Sequence, residues 1–161
     1  MRSWSIEVED EEGTGALARA LAAALVAGDT VVLEGDLGAG KTTFVRHVLR
    51  GRGLPEDEPV TSPTFALAHE YELSPLVIHA DLYRLGHPDE IFEIGIEEAL
   101  GTSAVALIEW GERFADAIPG LALRLFIDVL GESSRRFRFE ATGARGARIL
   151  EALAASLASR T

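Results

Sequence analysis

"GDLGAGKTT", Gly35 to Thr43, is the stretch whose reading decides the fold. It follows "TVVLE" (Thr30 to Glu34), a short β-branched apolar run of the kind that forms a buried strand. It leads into Lys41 to Leu49, where Phe44, Val45, Val48 and Leu49 recur at helical spacing. Strand, glycine loop and helix therefore stand in the order a phosphate-binding loop requires. Gly35-x-x-x-x-Gly40-Lys41-Thr42 matches the P-loop pattern in full. Gly38 and Gly40 let backbone N–H groups turn inward, and the helix that follows points its positive end at the phosphates. Gly35, Asp36, Leu37, Gly38, Ala39, Gly40, Lys41, Thr42 and Thr43 are thus the expected nucleotide contacts. Lys41 is assigned to the β- and γ-phosphates and the Thr42 hydroxyl to Mg²⁺.

Lys41 is the only lysine among 15 basic residues, all the others being arginine. A slender point charge fits between phosphates where a planar guanidinium fork fits badly. The exception falls where the chemistry asks for it.

Composition bounds the rest. The 161 residues suit one domain, spanning 1–161, and 47% hydrophobic residues are ample for a core. The net charge of −11 disfavours tight contact with nucleic acid or acidic membranes. Without cysteine there is no disulfide, thiolate metal site or thiol nucleophile. No signal-peptide core or membrane-length apolar run is evident, so a soluble, cytoplasmic protein is expected.

Outward from the loop, "WSIEV" (Trp4 to Val8) alternates like a half-buried strand. Thr14 is the expected N-cap of a helix with Leu17, Leu21 and Leu25 inward, ending at Gly28. "FALAHEYE" (65–72) and "LVIHAD" (76–81) read as strands joined by "LSP", and "PDEIFEIGIEEAL" (88–100) as a helix interrupted at Gly95. "AVALIE" (Ala104 to Glu109) is a buried central strand, and "LALRLFIDVL" with "RRFRFEAT" an antiparallel pair. Ala144 to Ala158 closes the chain as a helix. The expected class is α/β, a three-layer P-loop NTPase-like domain whose mixed sheet includes antiparallel strands.

Magnesium needs a carboxylate near the γ-phosphate, usually at the end of a neighbouring strand. Asp81 ends "LVIHAD" and Glu109 ends "AVALIE". Glu109 is assigned to the metal, directly or through water. Asp81 is either a second metal contact or the group that orients the attacking water. His79 in "HAD" reads as structural rather than as a base. "VTSPTF" (Val60 to Phe65) reads as a turn shaped by Pro63, with a phosphate-sensing loop as the sharper alternative. The arginines at 135, 136, 138, 145 and 148 form either a solvated edge or a nucleotide or partner contact.

A guanine-reading Asn-Lys-x-Asp cannot occur, because Lys41 is the sole lysine. A small-molecule kinase would carry an arginine-bearing lid, and none is evident. That kinase and a non-catalytic, nucleotide-gated binding module remain the alternatives to a compact ATPase.

Four segments, "GDLGAGKTTFVRHVLRGRG", "VTSPTFALAHEYE", "HADLYRLGHPDEIFEIGIEEAL" and "AVALIEWGE", together closely resemble the bacterial TsaE (YjeE) family. The resemblance runs from Thr14 to about Gly143. It implies a mixed sheet with helices on both faces, binding of ATP and Mg²⁺, and partnership with a TsaD–TsaB complex in making threonylcarbamoyladenosine in tRNA. ATP hydrolysis would support repeated turnover, slow alone and stimulated by the partners, which would handle the tRNA. Carried over residue by residue, Thr42 and Glu109 are the magnesium residues, and Asp81 is catalytic or metal-linked. Thr14 lies near the base, and Arg136 approaches the nucleotide. Thr61, Ser62 and Thr64 fall in a switch-like segment. His69 and Gly111 depart from the family's common asparagine and proline, and Gly111 falls in the loop after Trp110.

Overall fold

A computed structural model describes the chain except residues 37, 64–66, 88, 92–94 and 159–161. Among the described residues, seven strands form one mixed sheet in the order β1-β7-β6-β2-β5-β4-β3. These are β1 (Ser3–Val8), β2 (Thr30–Glu34), β3 (Ala68–Tyr71), β4 (Val77–Asp81), β5 (Val105–Glu109), β6 (Leu121–Val129) and β7 (Arg135–Ala141). The central strands β4, β5, β2 and β6 run parallel, whereas β3, β7 and β1 add antiparallel edges. All residues of β2, β4 and β5 are buried, which explains why their sequences are near-continuous apolar runs rather than alternations.

The helices α1 (Glu11–Ala24), α2 (Lys41–Gly51) and α3 (Gly143–Ala158) share one core cluster with one face of this sheet. Leu17 and Leu21 of α1, Phe44 and Leu49 of α2, and Leu150 of α3 meet Leu33, Leu107 and Phe137 there, all essentially without solvent exposure. Each such side chain contributes about 1.5–3 kcal/mol by leaving water. The opposite face of β2, β4 and β5 is covered by Leu82, Leu85, Ile96 and Leu100 of the β4–β5 connection, and by Phe114 and Ile118 from a short 3₁₀ helix (Glu112–Ala117) and its end. This is the expected α/β layering, with turns and a 3₁₀ helix supplying the covered part of the second face.

Three local expectations are corrected. The N-cap of α1 is Asp10, not Thr14: its carboxylate accepts the Gly13 N–H at 2.8 Å, and Glu11 and Glu12 occupy the first turn, where the helix dipole favours acids. The same helix is capped at its other end by Leu25, and Gly28 (φ +97°) lies in the following turn. Of the helix expected over 88–100 with a break at Gly95, Glu90 and Ile91 are helical and Gly95 interrupts the run at φ +83°, but residues 97–100 form turns, with Ala99 and Leu100 N–H both reaching the Ile96 carbonyl; the residues at 88 and 92–94 lie outside the described set. Residues 65 and 66, expected to begin β3, also lie outside it.

Candidate functional site: the phosphate loop and two strand-end acids

Ligands of α/β sheets bind beyond the carboxyl ends of the parallel strands, and here that edge is where the unusual residues gather. The β2 strand delivers the chain into the glycine loop, and α2 leaves it. Gly38 and Gly40 adopt φ of +85° and +106°, values open to glycine, and a methyl built on either would project into open space. That space is the cradle. Gly40 caps α2 without any side-chain hydrogen bond, so the helix N-terminus presents its N–H groups to whatever enters the cleft.

Lys41 is 6% exposed and donates from Nζ to the carbonyl oxygens of Gly35, at 2.5 Å, and Asp36, at 3.5 Å. The same ammonium lies 4.1 Å from the centre of the Trp110 ring. Burial pushes its pKa below the ordinary value, against the opposing pull of Glu109 and Asp81.

The β4–β5 register sets Asp81 directly beside Glu109. Strand alternation turns both toward α2, on the face that holds Val77, Val105 and Leu107. Thr42 Oγ1 donates to Glu109 Oε2 at 3.3 Å, and His79 Nε2 meets the same oxygen at 2.5 Å. Asp81 Oδ1 accepts the Tyr83 backbone N–H at 2.9 Å. Lys41, Thr42, Asp81, Glu109, Ser62 and Trp110 line one cleft of about 610 Å³. Tyr83 stands at its rim, 60% exposed, with its ring edge-on to Trp110 at 5.1 Å.

A second recess of about 210 Å³ lies across Gly40 and Thr43 from the first, and Thr14 lines it together with Arg135 and Phe137. Ala39, buried, lines the same recess, and its carbonyl accepts Arg135 Nε at 3.0 Å. Arg136 is brought to neither cleft: its guanidinium pairs with Glu7 Oε1 at 2.8 Å across β1 and β7. Strand parity separates the two arginines, since Arg135 shares a face with the buried Phe137 and Phe139 while Arg136 takes the other. Leu37 and Thr64, named from the sequence, lie outside the described residues. Thr61 is exposed, and Gly111 caps the 3₁₀ helix that follows Trp110.

A family model described as "Threonylcarbamoyl adenosine biosynthesis protein TsaE" matches residues 8–137. The chain belongs to the TsaE family. Among TsaE relatives, the tRNA threonylcarbamoyladenosine biosynthesis protein TsaE of Rickettsia felis is 42% identical over 129 residues, 80% of this chain and 74% of that one. The protein of the same name from Bacillus subtilis is 37% identical over 143 residues, 88% of each chain. The crystal structure of Bacillus subtilis YdiB superposes with a TM-score of 0.76 at 32% identity, covering 95% of both chains. Membership places the chain in a family of tRNA threonylcarbamoyladenosine biosynthesis. Among the described residues no helix is long and apolar enough to cross a membrane.

The TsaE cleft also suits a divalent cation by its donors. No group of three or more His, Cys, Asp or Glu gathers there, or elsewhere among the described residues, to hold a metal alone. One hydroxyl and two carboxylates remain, which is the kind of partial oxygen set Mg²⁺ shares with nucleotide phosphates and water.

Proposed function

We propose that this TsaE chain binds ATP with Mg²⁺ and hydrolyses it, acting on a TsaD–TsaB complex to support repeated threonylcarbamoyladenosine modification of tRNA. The observation that carries the reading is the Thr42–Glu109 hydrogen bond beside the glycine cradle. Because the Thr42 hydroxyl gives its proton to Glu109, its lone pairs are left for a cation. Thr42 would hold Mg²⁺ directly and Glu109 directly or through water, with Asp81 alongside. When bound, Mg²⁺ supplies charge neutralisation at the phosphate oxygens.

The chain's own residues do the remainder. Helix α2 and the loop N–H groups orient the phosphates, and Lys41 exchanges the Gly35 carbonyl and the Trp110 face for β- and γ-phosphate oxygens. Asp81, held by the Tyr83 N–H, orients the attacking water or joins the metal. Lys41 is the one cation lining the cleft among the described residues. The transition-state charge is therefore only partly met, and hydrolysis by the isolated chain is slow. The net charge of −11 agrees with leaving tRNA contact to the partners.

Phosphate release from ATP, measured with and without a TsaD–TsaB complex, tests this. Slow basal release, strong stimulation by the partners, and loss of turnover but not of nucleotide binding in Asp81→Asn are expected. A phosphorylated small acceptor would move the chain to the kinases. Partner function that survives Asp81→Asn and Glu109→Gln but not Lys41→Ala would make it a gated binding module.

A further inference from the structure

His79 is wholly buried at the centre of β4, on the face that holds Asp81. A core position there would be filled at lower cost by an aliphatic side chain, since Nδ1 is buried without a hydrogen-bond partner among the described residues. The other ring nitrogen explains the retention of an imidazole. Nε2 lies 2.5 Å from Glu109 Oε2. An ionised carboxylate only accepts, so the proton sits on Nε2, and Nδ1 is left as a bare lone pair, the cheaper of the two groups to bury.

Glu109 Oε2 therefore takes two donors, His79 from within the sheet and Thr42 from the phosphate loop. The hydrogen bonds run in one direction, from His79 to Glu109 and from Thr42 to Glu109. Both fix the carboxylate so that the Thr42 lone pairs face the cleft. Free of His79, the Glu109 side chain rotates about its own bonds and the Thr42 proton loses its fixed acceptor.

We infer that His79 is a positioning residue for the cation site: its Nε2–H locks Glu109 in the rotamer that orients Thr42 toward Mg²⁺. The inference rests on the nucleotide-site reading above. Outer-shell partners of this kind typically change metal affinity 10- to 100-fold when removed.

The pair His79→Gln and His79→Met isolates the donor. The two replacements have closely similar length and volume, and only glutamine keeps an N–H that reaches Glu109. Binding of a fluorescent ATP analogue is measured with EDTA and across a Mg²⁺ titration, and thermal melts report folding. In His79→Met the apparent Mg²⁺ affinity falls about tenfold or more, while Mg²⁺-free nucleotide binding stays within about twofold of wild type. His79→Gln recovers most of the Mg²⁺ affinity. A residue that only fills the core gives the opposite ranking, because methionine suits an apolar interior better than glutamine. Unchanged Mg²⁺ dependence in His79→Met, or equal loss in both variants, overturns the inference while leaving the nucleotide site in place. Wild-type binding that ignores Mg²⁺ overturns the site reading and this inference together.

Discussion

The ammonium of Lys41 sits over the indole of Trp110, and Trp110 holds a left-handed backbone (φ +59°) directly after Glu109. A bulky residue in that conformation stores on the order of 1–3 kcal/mol, so the contact joins the lysine of the glycine loop to a strained point of the chain. Phosphates that draw Lys41 away remove a charge from the ring face. Tryptophan emission is expected to change on adding ATP. In Trp110→Phe only Trp4 remains, packed on Phe139 at the β1 edge, and the change should vanish. An emission change that persists in that variant would dissociate the ring from the nucleotide.

Replacing Lys41 by methionine separates binding from stability. Loss of the charge-assisted phosphate contacts, worth about 1.5–3 kcal/mol, lowers nucleotide affinity roughly 10- to 100-fold. Stability moves the other way, because an ammonium that is almost fully buried costs free energy. The pH dependence carries the sign. The folded-state pKa lies below the ordinary 10.5, so the unfolded chain binds more protons between the two values, and wild-type stability gains from this residue as pH rises through that window. Melts of wild type and Lys41→Met from neutral pH to 10.5 should show the gain only in wild type.

Gly40→Ala tests the cradle. The methyl meets nothing within 4 Å, so the penalty is conformational, about 1–2 kcal/mol for a φ of +106°. The same methyl stands where phosphates approach the backbone. Nucleotide affinity should therefore fall by more than the melting temperature suggests. Calorimetric titration beside a thermal melt distinguishes the two effects.

One residue before the loop, Glu34 is buried and held by Arg124, whose Nη2 and Nε reach the same oxygen at 3.0 and 3.3 Å. Burial raises its pKa above 4.5, with Arg124 opposing. Arg124→Leu leaves the carboxylate without its cation and facing Glu112. The expected cost is about 2 kcal/mol, below the 3–5 of a fully buried pair because Arg124 is one-third in water. A raised acid stabilises the folded chain below its unfolded pKa and loses that contribution as pH rises through the folded value. The variant's deficit should be smaller near pH 4.5 than at pH 8 in denaturant titrations. Glu34→Gln in the same chain should recover most of it.

Much of the site was legible because its signals are local. The glycine loop, its lysine and the acid at the end of each apolar run are neighbours in sequence, and buried parallel strands announce themselves as unbroken apolar stretches. What escaped depends on pairing across the sheet. The position of His79 beneath Glu109 follows from the β4–β5 register, which no stretch of either strand encodes alone. Arg135 was separable from Arg136 by parity with Phe137, a signal present in "RRFRFEAT", although the Ala39 carbonyl it meets lies far away in sequence. Asp10 displaced Thr14 as the cap because both are favoured capping types four residues apart, and only the packed helix selects between them. The strand order, with β6 and β5 flanking β2, was likewise invisible in one dimension.

The burial of Lys41 has a chemical corollary. With no other lysine in the chain, the cleft holds its only side-chain amine. Amine acylation of side chains therefore has one target, this shielded group. The rate of labelling at Lys41 then reports how often the amine leaves the Gly35 carbonyl and the Trp110 ring, and bound nucleotide should slow it.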